Sequence, residues 1–270
     1  MKFSVLILTY NEEINIEHCV ANALQYSDDV VVLDSFSTDA TKALCEPLGI
    51  RFVENKFAGY ASQRNHGLQA ISYKHEWLLM LDADELITEE LAVEVANLSP
   101  DAHTMYRFRR KDYFMGRWIK RSSGYPTWFG RLFRLGQVTV EREINEEYKT
   151  SGTIGYLDGH LLHYPFSKGL AWWVEKHNRY SSMEAEHRAQ GVAVEWTSVF
   201  SLDPVARRAA QKQLLYRLPL RPYVVFAYLY LFKLGFLDGV AGLKFARLRL
   251  FYEFLIDYKF SELKGIHKDD

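Results

Sequence analysis

Cysteine is nearly absent from this chain, with two in 270 residues, Cys19 and Cys45. Neither sits in a CxxC pair or a Cys/His cluster, so there is no zinc-finger spacing and no disulfide framework. The expectation is a reduced, intracellular protein with two small core thiols. Excess charge is missing too: 33 Lys/Arg stand against 34 Asp/Glu, a net of -1, which argues against nucleic acid as the main partner. No apolar run approaches the roughly 20 residues of a spanning helix. The opening Met1–Thr9 lacks the length and small-residue cleavage site of a secretory leader and reads as a buried strand. No internal repeat or low-complexity segment is visible.

Apolar residues, by contrast, make up 48%, enough for a sizeable core, and aromatics reach 15%. Aromatic surface of that extent serves sugars, lipids or membrane interfaces; the plainer reading is a Tyr- and Phe-rich core. The balanced charge also hides an asymmetry. Residues 205–270 hold 12 Lys/Arg and 6 Asp/Glu, while the rest of the chain is net acidic, so the two parts are expected to face different partners.

The first hundred residues alternate strands and helices. Apolar runs of strand length cover Phe3–Thr9, Val30–Leu33, Ile50–Val53 and Trp77–Leu81. Between them, apolar residues recur at helical spacing, as in Ile16, Cys19, Val20 and Ala23. Asn11 and Thr88 are expected to cap helices, with Glu12, Glu13, Glu89 and Glu90 in the first turns. A βαβαβαβ order with uniformly apolar strands predicts an α/β fold with a mostly parallel sheet covered on both faces. Ligands bind such sheets at the carboxyl ends of the strands. There the chain places Thr9-Tyr10-Asn11, Asp34-Ser35 and Asp82-Ala83-Asp84. From Thr104 to about Tyr164 the pattern changes to half-exposed strands broken by Gly116, Gly124, Pro126 and Gly130, and from about Ser167 it reads as helical.

Two carboxylates one residue apart after a buried strand suit a hard cation, Mg²⁺ or Mn²⁺, completed by phosphate oxygens. An Asp-x-Asp triplet alone is equally an ordinary cap or turn. Its position after the fourth strand favours the metal–diphosphate reading.

Four ordered motifs, Leu8-Thr9-Tyr10-Asn11-Glu12-Glu13, Val32-Leu33-Asp34-Ser35-Phe36-Ser37-Thr38-Asp39, Gln63-Arg64-Asn65 and Leu81-Asp82-Ala83-Asp84-Glu85, resemble those of family 2 glycosyltransferases with the Rossmann-like GT-A fold. Within that family the chain is most similar to the bacterial lipopolysaccharide-core β-1,4-glucosyltransferase branch. The resemblance divides the chain into a catalytic domain, 1–165, and a helical, basic-aromatic extension, 166–270. The nucleotide half of the domain would be 1–100 and the acceptor half 101–165. It implies that Thr9, Tyr10, Asn11 and Glu13 line a nucleotide pocket, with Glu12 as the alternative ribose contact. It further implies that Asp34 meets uracil, Arg64 meets base or diphosphate, Asp82 meets ribose and metal, and Asp84 ligates the metal. This chain departs from many relatives in having Ser35 where they carry a second acid and Phe36 where they carry glycine.

Inverting transfer needs one more carboxylate to accept the acceptor's proton. Glu141, Glu143, Glu146 and Glu147 are candidates, and Ile144-Asn145-Glu146 resembles the family's apolar-His-Glu element with Asn for His, which favours Glu146. His163 could join the metal or diphosphate site, or be structural. Trp118, Tyr125 and Trp128 could stack on an acceptor sugar, or pack within the fold. Arg131 and Arg134 could meet an anionic acceptor, or line a solvated strand face.

In the basic tail, aromatic and apolar residues mixed with Lys/Arg through 205–265 suit peripheral contact with the inner face of the cytoplasmic membrane. A packed helical pair is the alternative. The resulting expectation is hexose transfer, from UDP-glucose, to a lipopolysaccharide-type or other lipid-linked glycan. The competing readings are a catalytically silent scaffold of the same fold and an aspartyl phosphatase, which would carry its acid pair after the first strand. Donor, acceptor and oligomeric state are not written in the motifs.

Overall fold

The computed structural model describes residues 1–141, 147–191, 195–218 and 220–266. The chain forms two compact units, Met1–Lys111 with Trp128–Ser167, and Asp112–Thr127 with Lys168–Asp270. The helical unit thus takes in a segment, Asp112–Thr127, that the sequence pattern groups with the strands.

The elements up to the second unit's first segment are β1 (Ser4–Thr9), α1 (Ile16–Ala23), β2 (Val30–Asp34), α2 (Thr41–Cys45), β3 (Arg51–Glu54), α3 (Tyr60–Gln69), β4 (Trp77–Asp82), β5 (Glu85–Ile87), α4 (Glu89–Ala96) and β6 (Met105–Phe114). They continue with β7 (Arg117–Trp118), β8 (Trp128–Arg134), β9 (Val138–Glu141), β10 (Glu147–Thr150) and β11 (Ile154–His163). The main sheet runs β3-β2-β1-β4-β8-β6-β11-β5, with β7 paired to the end of β6; β9 and β10 form a separate ribbon. β3, β2, β1 and β4 are parallel neighbours, and β8 joins β4 antiparallel.

Alternate residues of the parallel strands enter different cores. Val5, Ile7, Val32, Leu79 and Leu81 pack with Ile16, Val20, Leu91 and Val95 of α1 and α4. Leu6, Val31, Leu33, Leu78 and Met80 pack with Ala61 and Leu68 of α3. Burial on both faces is why these strands read as unbroken apolar runs. α3 lies so close to β1 that a Cβ on Gly67 would stand 2.4 Å from Leu6 Cδ2. Cys19 and Cys45 are buried core thiols, and burial pushes Cys45 up to about 11.

The caps divide. Thr88 Oγ1 accepts from Leu91 N at 3.3 Å and caps α4 as the sequence predicts. Asn11 caps nothing: α1 begins at Ile16 after Asn15, and Asn11 sits in the left-handed region at φ 53. Asn tolerates that conformation because its short side chain can bond locally.

The second unit contains α5 (Gly169–Ala189), α6 (Pro204–Leu215), α7 (Arg221–Ala227) and α8 (Gly239–Ile266). Asp203 caps α6, accepting from Val205 N at 2.8 Å, with Pro204 at the first helical position. Irregular turns join α7 to α8. There Asp238 accepts from the backbone N–H groups of Arg121 (2.9 Å) and Ser122 (2.8 Å), tying Asp112–Thr127 to the helices. One ion pair is buried among these helices, Arg221 with Glu253; buried Glu184 takes half-buried Lys212 at 2.6 Å, and half-buried Arg188 and Asp257 pair at 2.5 Å.

Candidate active site

Strand register brings the sequence motifs to one edge. Thr9 pairs with Asp34 across β1 and β2, and Leu8 with Asp82 across β1 and β4. Asp34 is 1% exposed. Its Oδ1 accepts from Thr9 Oγ1 (2.9 Å) and Ser37 Oγ (2.5 Å), and its Oδ2 from Ser37 N (2.7 Å). A carboxylate has about four acceptor positions, so a ring N–H can still be received there.

The turns after β1 and β2 interlock. Asn11 N donates to Ser37 Oγ, and Thr38 N to Asn11 Oδ1, both at 2.8 Å. Glu12 N donates to Thr41 Oγ1 at 2.8 Å, and Glu13 accepts from Ala40 N at 3.0 Å. The left-handed turn at Asn11 is what turns these groups toward the second strand's loop. Tyr10 is exposed beside them.

The third and fourth motifs meet in an ion network. Asp82 Oδ1 accepts from Arg64 Nη2 at 3.1 Å and its Oδ2 from Arg131 Nη2 at 2.6 Å. Arg131 also reaches Glu85 Oε1 at 2.9 Å, and Arg110 reaches the same oxygen at 3.3 Å. The other Glu85 oxygen accepts from Asp82 N at 3.0 Å. Arg64 Nε donates to Tyr148 OH at 3.1 Å. Burial opposes the charge on Arg131, but the Asp82 and Glu85 carboxylates more than offset it and hold the guanidinium above its ordinary value.

Arg131 therefore does not meet an acceptor or solvent; at 4% exposure it is a buried counter-ion of Asp82 and Glu85. Arg134, at the end of the same strand, pairs with Asp101 at 2.9 Å. The sequence reading missed Glu85, Arg110 and Tyr148. The available signal was three acids within four residues of a buried strand end, which demand cations nearby.

Asp84 is also held from β11. Tyr164 N donates to its carbonyl at 2.9 Å, and His163 Nε2 stands 3.4 Å from its Oδ2. The β5–β11 ladder, pairing Glu85 with His163, sets this proximity. Among the described residues no group of three or more His, Cys, Asp or Glu could hold a metal by itself.

Glu146 and Glu143 lie outside the described residues. Glu141 and Glu147 are exposed, and Glu147 pairs with Lys149 at 2.5 Å. Trp128 meets Tyr156 edge-on at 5.0 Å and lies under Arg109 at 4.8 Å. In the second unit Trp118 and Tyr125 face each other edge-on at 5.3 Å.

Residues 4–156 match the family model described as Glycosyl transferase family 2. An uncharacterized glycosyltransferase of Rickettsia bellii is 34% identical over 112 residues, covering 40% of this chain and 37% of that one. The lipopolysaccharide core biosynthesis glycosyltransferase LpsC of Rhizobium meliloti is 27% identical over 201 residues, covering 70% and 73%. In fold, the chain is similar to the mannosyltransferase PcManGT from Pyrobaculum calidifontis, solved in complex with GDP-Man and Mn²⁺. The TM-score is 0.55 at 19% identity, over 96% of this chain and 86% of that one.

Proposed function

The chain belongs to glycosyl transferase family 2, and on that premise we propose that it moves glucose, or another hexose, from a UDP-sugar to a lipopolysaccharide-type acceptor with inversion and with help from Mg²⁺ or Mn²⁺. It is a glycosyltransferase with the GT-A fold. The acceptor class is drawn from the LpsC relative. A nucleotide-sugar donor and a lipid-linked acceptor together set the reaction on the cytoplasmic side, at the inner face of the membrane.

One observation carries the donor reading: Asp34, Arg64, Asp82 and Asp84 converge at the carboxyl ends of β2 and β4, from three separate motifs. Asp34, fixed by Thr9 and Ser37, takes the uracil N–H. Asp82, held by two guanidiniums, takes the ribose hydroxyls. Asp84 and His163 fit a divalent cation. Their ligand atoms are 3.4 Å apart, near enough that both would hold one ion. Two protein donors leave the remaining positions to diphosphate and water, and the cation would neutralise charge on the departing diphosphate.

In the reaction an acceptor hydroxyl oxygen bonds to the anomeric carbon, the bond from that carbon to the diphosphate oxygen breaks, and a carboxylate takes the hydroxyl proton. Glu146 is the proposed base. UDP release from a panel of UDP-hexoses, with lipopolysaccharide-core acceptors and with Mn²⁺ or chelator, tests the reading. Asp84→Ala is expected to lower turnover by on the order of a hundredfold or more; unchanged turnover would reject the metal role.

A further inference from the structure

The second unit exposes apolar side chains where its helices bend. α7 with its following turn, and α8 with its preceding turn, meet at a 70° break. Between Leu231 and Val240 the side chains of Leu231, Phe232, Leu234, Phe236, Leu237 and Val240 are all exposed, Phe232 by 81% and Val240 by 66%. The face continues along α8. Val240, Lys244, Arg247, Phe251 and Tyr258 are exposed at offsets of 0, 4, 7, 11 and 18, which lie along one side of a helix.

The charges on this stretch are sorted by sign. From Arg217 to Tyr258 the chain has three acids, Asp238, Glu253 and Asp257. Asp238 is buried and bound by two backbone N–H groups, Glu253 is buried against Arg221 and Arg249, and Asp257 pairs with Arg188. Arg217, Lys244 and Arg247 are exposed. From Arg217 to Tyr258 the surface that carries the apolar residues therefore presents only positive exposed charge; the exposed Glu262 and Lys264 follow one turn later.

We infer that the α7–α8 corner and the exposed face of α8 lie in the interfacial plane of an anionic bilayer, with Phe232, Leu237 and Val240 among the acyl chains and Lys244 and Arg247 at the phosphates. This rests on the reading above only in supplying the membrane at which a lipid-linked acceptor is met. No single helix among the described residues is long and apolar enough to cross a membrane; the α7–α8 pair reaches that length and apolarity only together and across its 70° bend, and Lys244 and Arg247 in the middle of the face suit a helix lying in the surface. Two copies of the face brought together would oppose like charges. An anionic lipid surface satisfies the apolar and the basic residues at once.

Sedimentation of the full chain with vesicles of phosphatidylcholine, alone or mixed with phosphatidylglycerol, tests the inference. The chain is expected to sediment with the mixed vesicles and to be released by salt. Lys244→Gln with Arg247→Gln should weaken that binding about 25-fold, at about five-fold per lost charge. Phe232→Ser with Leu237→Ser and Val240→Ser should weaken it at least about tenfold on either vesicle. A wild-type chain that stays in solution, variants that bind like wild type, or self-association abolished by the serine variants would each overturn the inference. Calorimetry with UDP and Mn²⁺ on the same proteins separates the two readings. UDP binding without vesicle binding rejects the membrane face alone, and vesicle binding without UDP binding rejects the donor site alone.

Discussion

In the first unit the apolar side chains fill two cores on either side of a sheet, and the charges gather at its carboxyl edge. In the second, the Arg221–Glu253 ion pair is buried between helices while apolar side chains stand on the surface. The difference follows from what holds each unit in register. A parallel sheet is fixed by its ladder, so the Asp82, Glu85 and Arg131 network at its edge is not needed to set the register. Helices with long apolar faces can slide and rotate, and a buried pair such as Arg221–Glu253 fixes their alignment at a cost in desolvation.

The comparison is broken most sharply at Arg221. Arg221→Met leaves Glu253 buried without its closest partner and should cost about 3–5 kcal/mol in urea unfolding. Arg221→Met with Glu253→Leu should recover most of that loss; a double variant as unstable as the single would refute an alignment role. In the first unit, Glu85→Gln weakens the hold on Arg131 and Arg110. It should reduce UDP affinity by roughly tenfold or more, read by calorimetry, and an unchanged affinity would make Glu85 merely structural.

Titration sharpens the contrast. Burial, against a backbone hydrogen bond to Trp173, lowers His177 from 6.5 to about 4. Between these values the unfolded chain binds a proton that the folded one refuses, so stability is full above about pH 6.5 and falls as pH drops toward 4. The slope is below about 1.4 kcal/mol per pH unit; His177→Phe should flatten it in denaturation measured across that range. The smallest effect is expected at Thr88→Ala, which removes the α4 cap for about 1 kcal/mol in the same assay.

The sequence made the parallel half of the sheet readable because burial on both faces leaves uninterrupted apolar runs, and strand ends mark where polar residues become useful. Thr9, Asp34 and Asp82 were placed at the sheet edge for that reason, whereas Arg64, on α3, came from the resemblance alone. Asn11 was misread as a cap because Asn suits both a cap and a left-handed turn, and only the bond from Thr38 N distinguishes them. Arg131 was misread because a Lys/Arg in a half-exposed strand pattern says nothing of which face it takes until the partner strand is known. The β5–β11 pairing joins residues more than seventy positions apart, and no local pattern announces it. Of the aromatic residues that could stack on a sugar or pack within the fold, Trp118 meets Tyr125 and Trp128 meets Tyr156.

That long-range ladder also works as a ruler. Tyr164 N is tied to Asp84, Thr88 Oγ1 to the carbonyl of His160, and Glu94 to the N–H groups of Asp158 and Gly159. A Cβ on Gly159 would stand 2.5 Å from Leu91 Cα, so α4 has no room to shift along the strand. One residue inserted between Gly159 and His163 would rotate the imidazole to the opposite side of the sheet. The same insertion in the turn at Ser151–Gly152 would be absorbed before the strand begins. What the strand preserves is a count, and the chain's tolerance for added length should fall abruptly where that count starts.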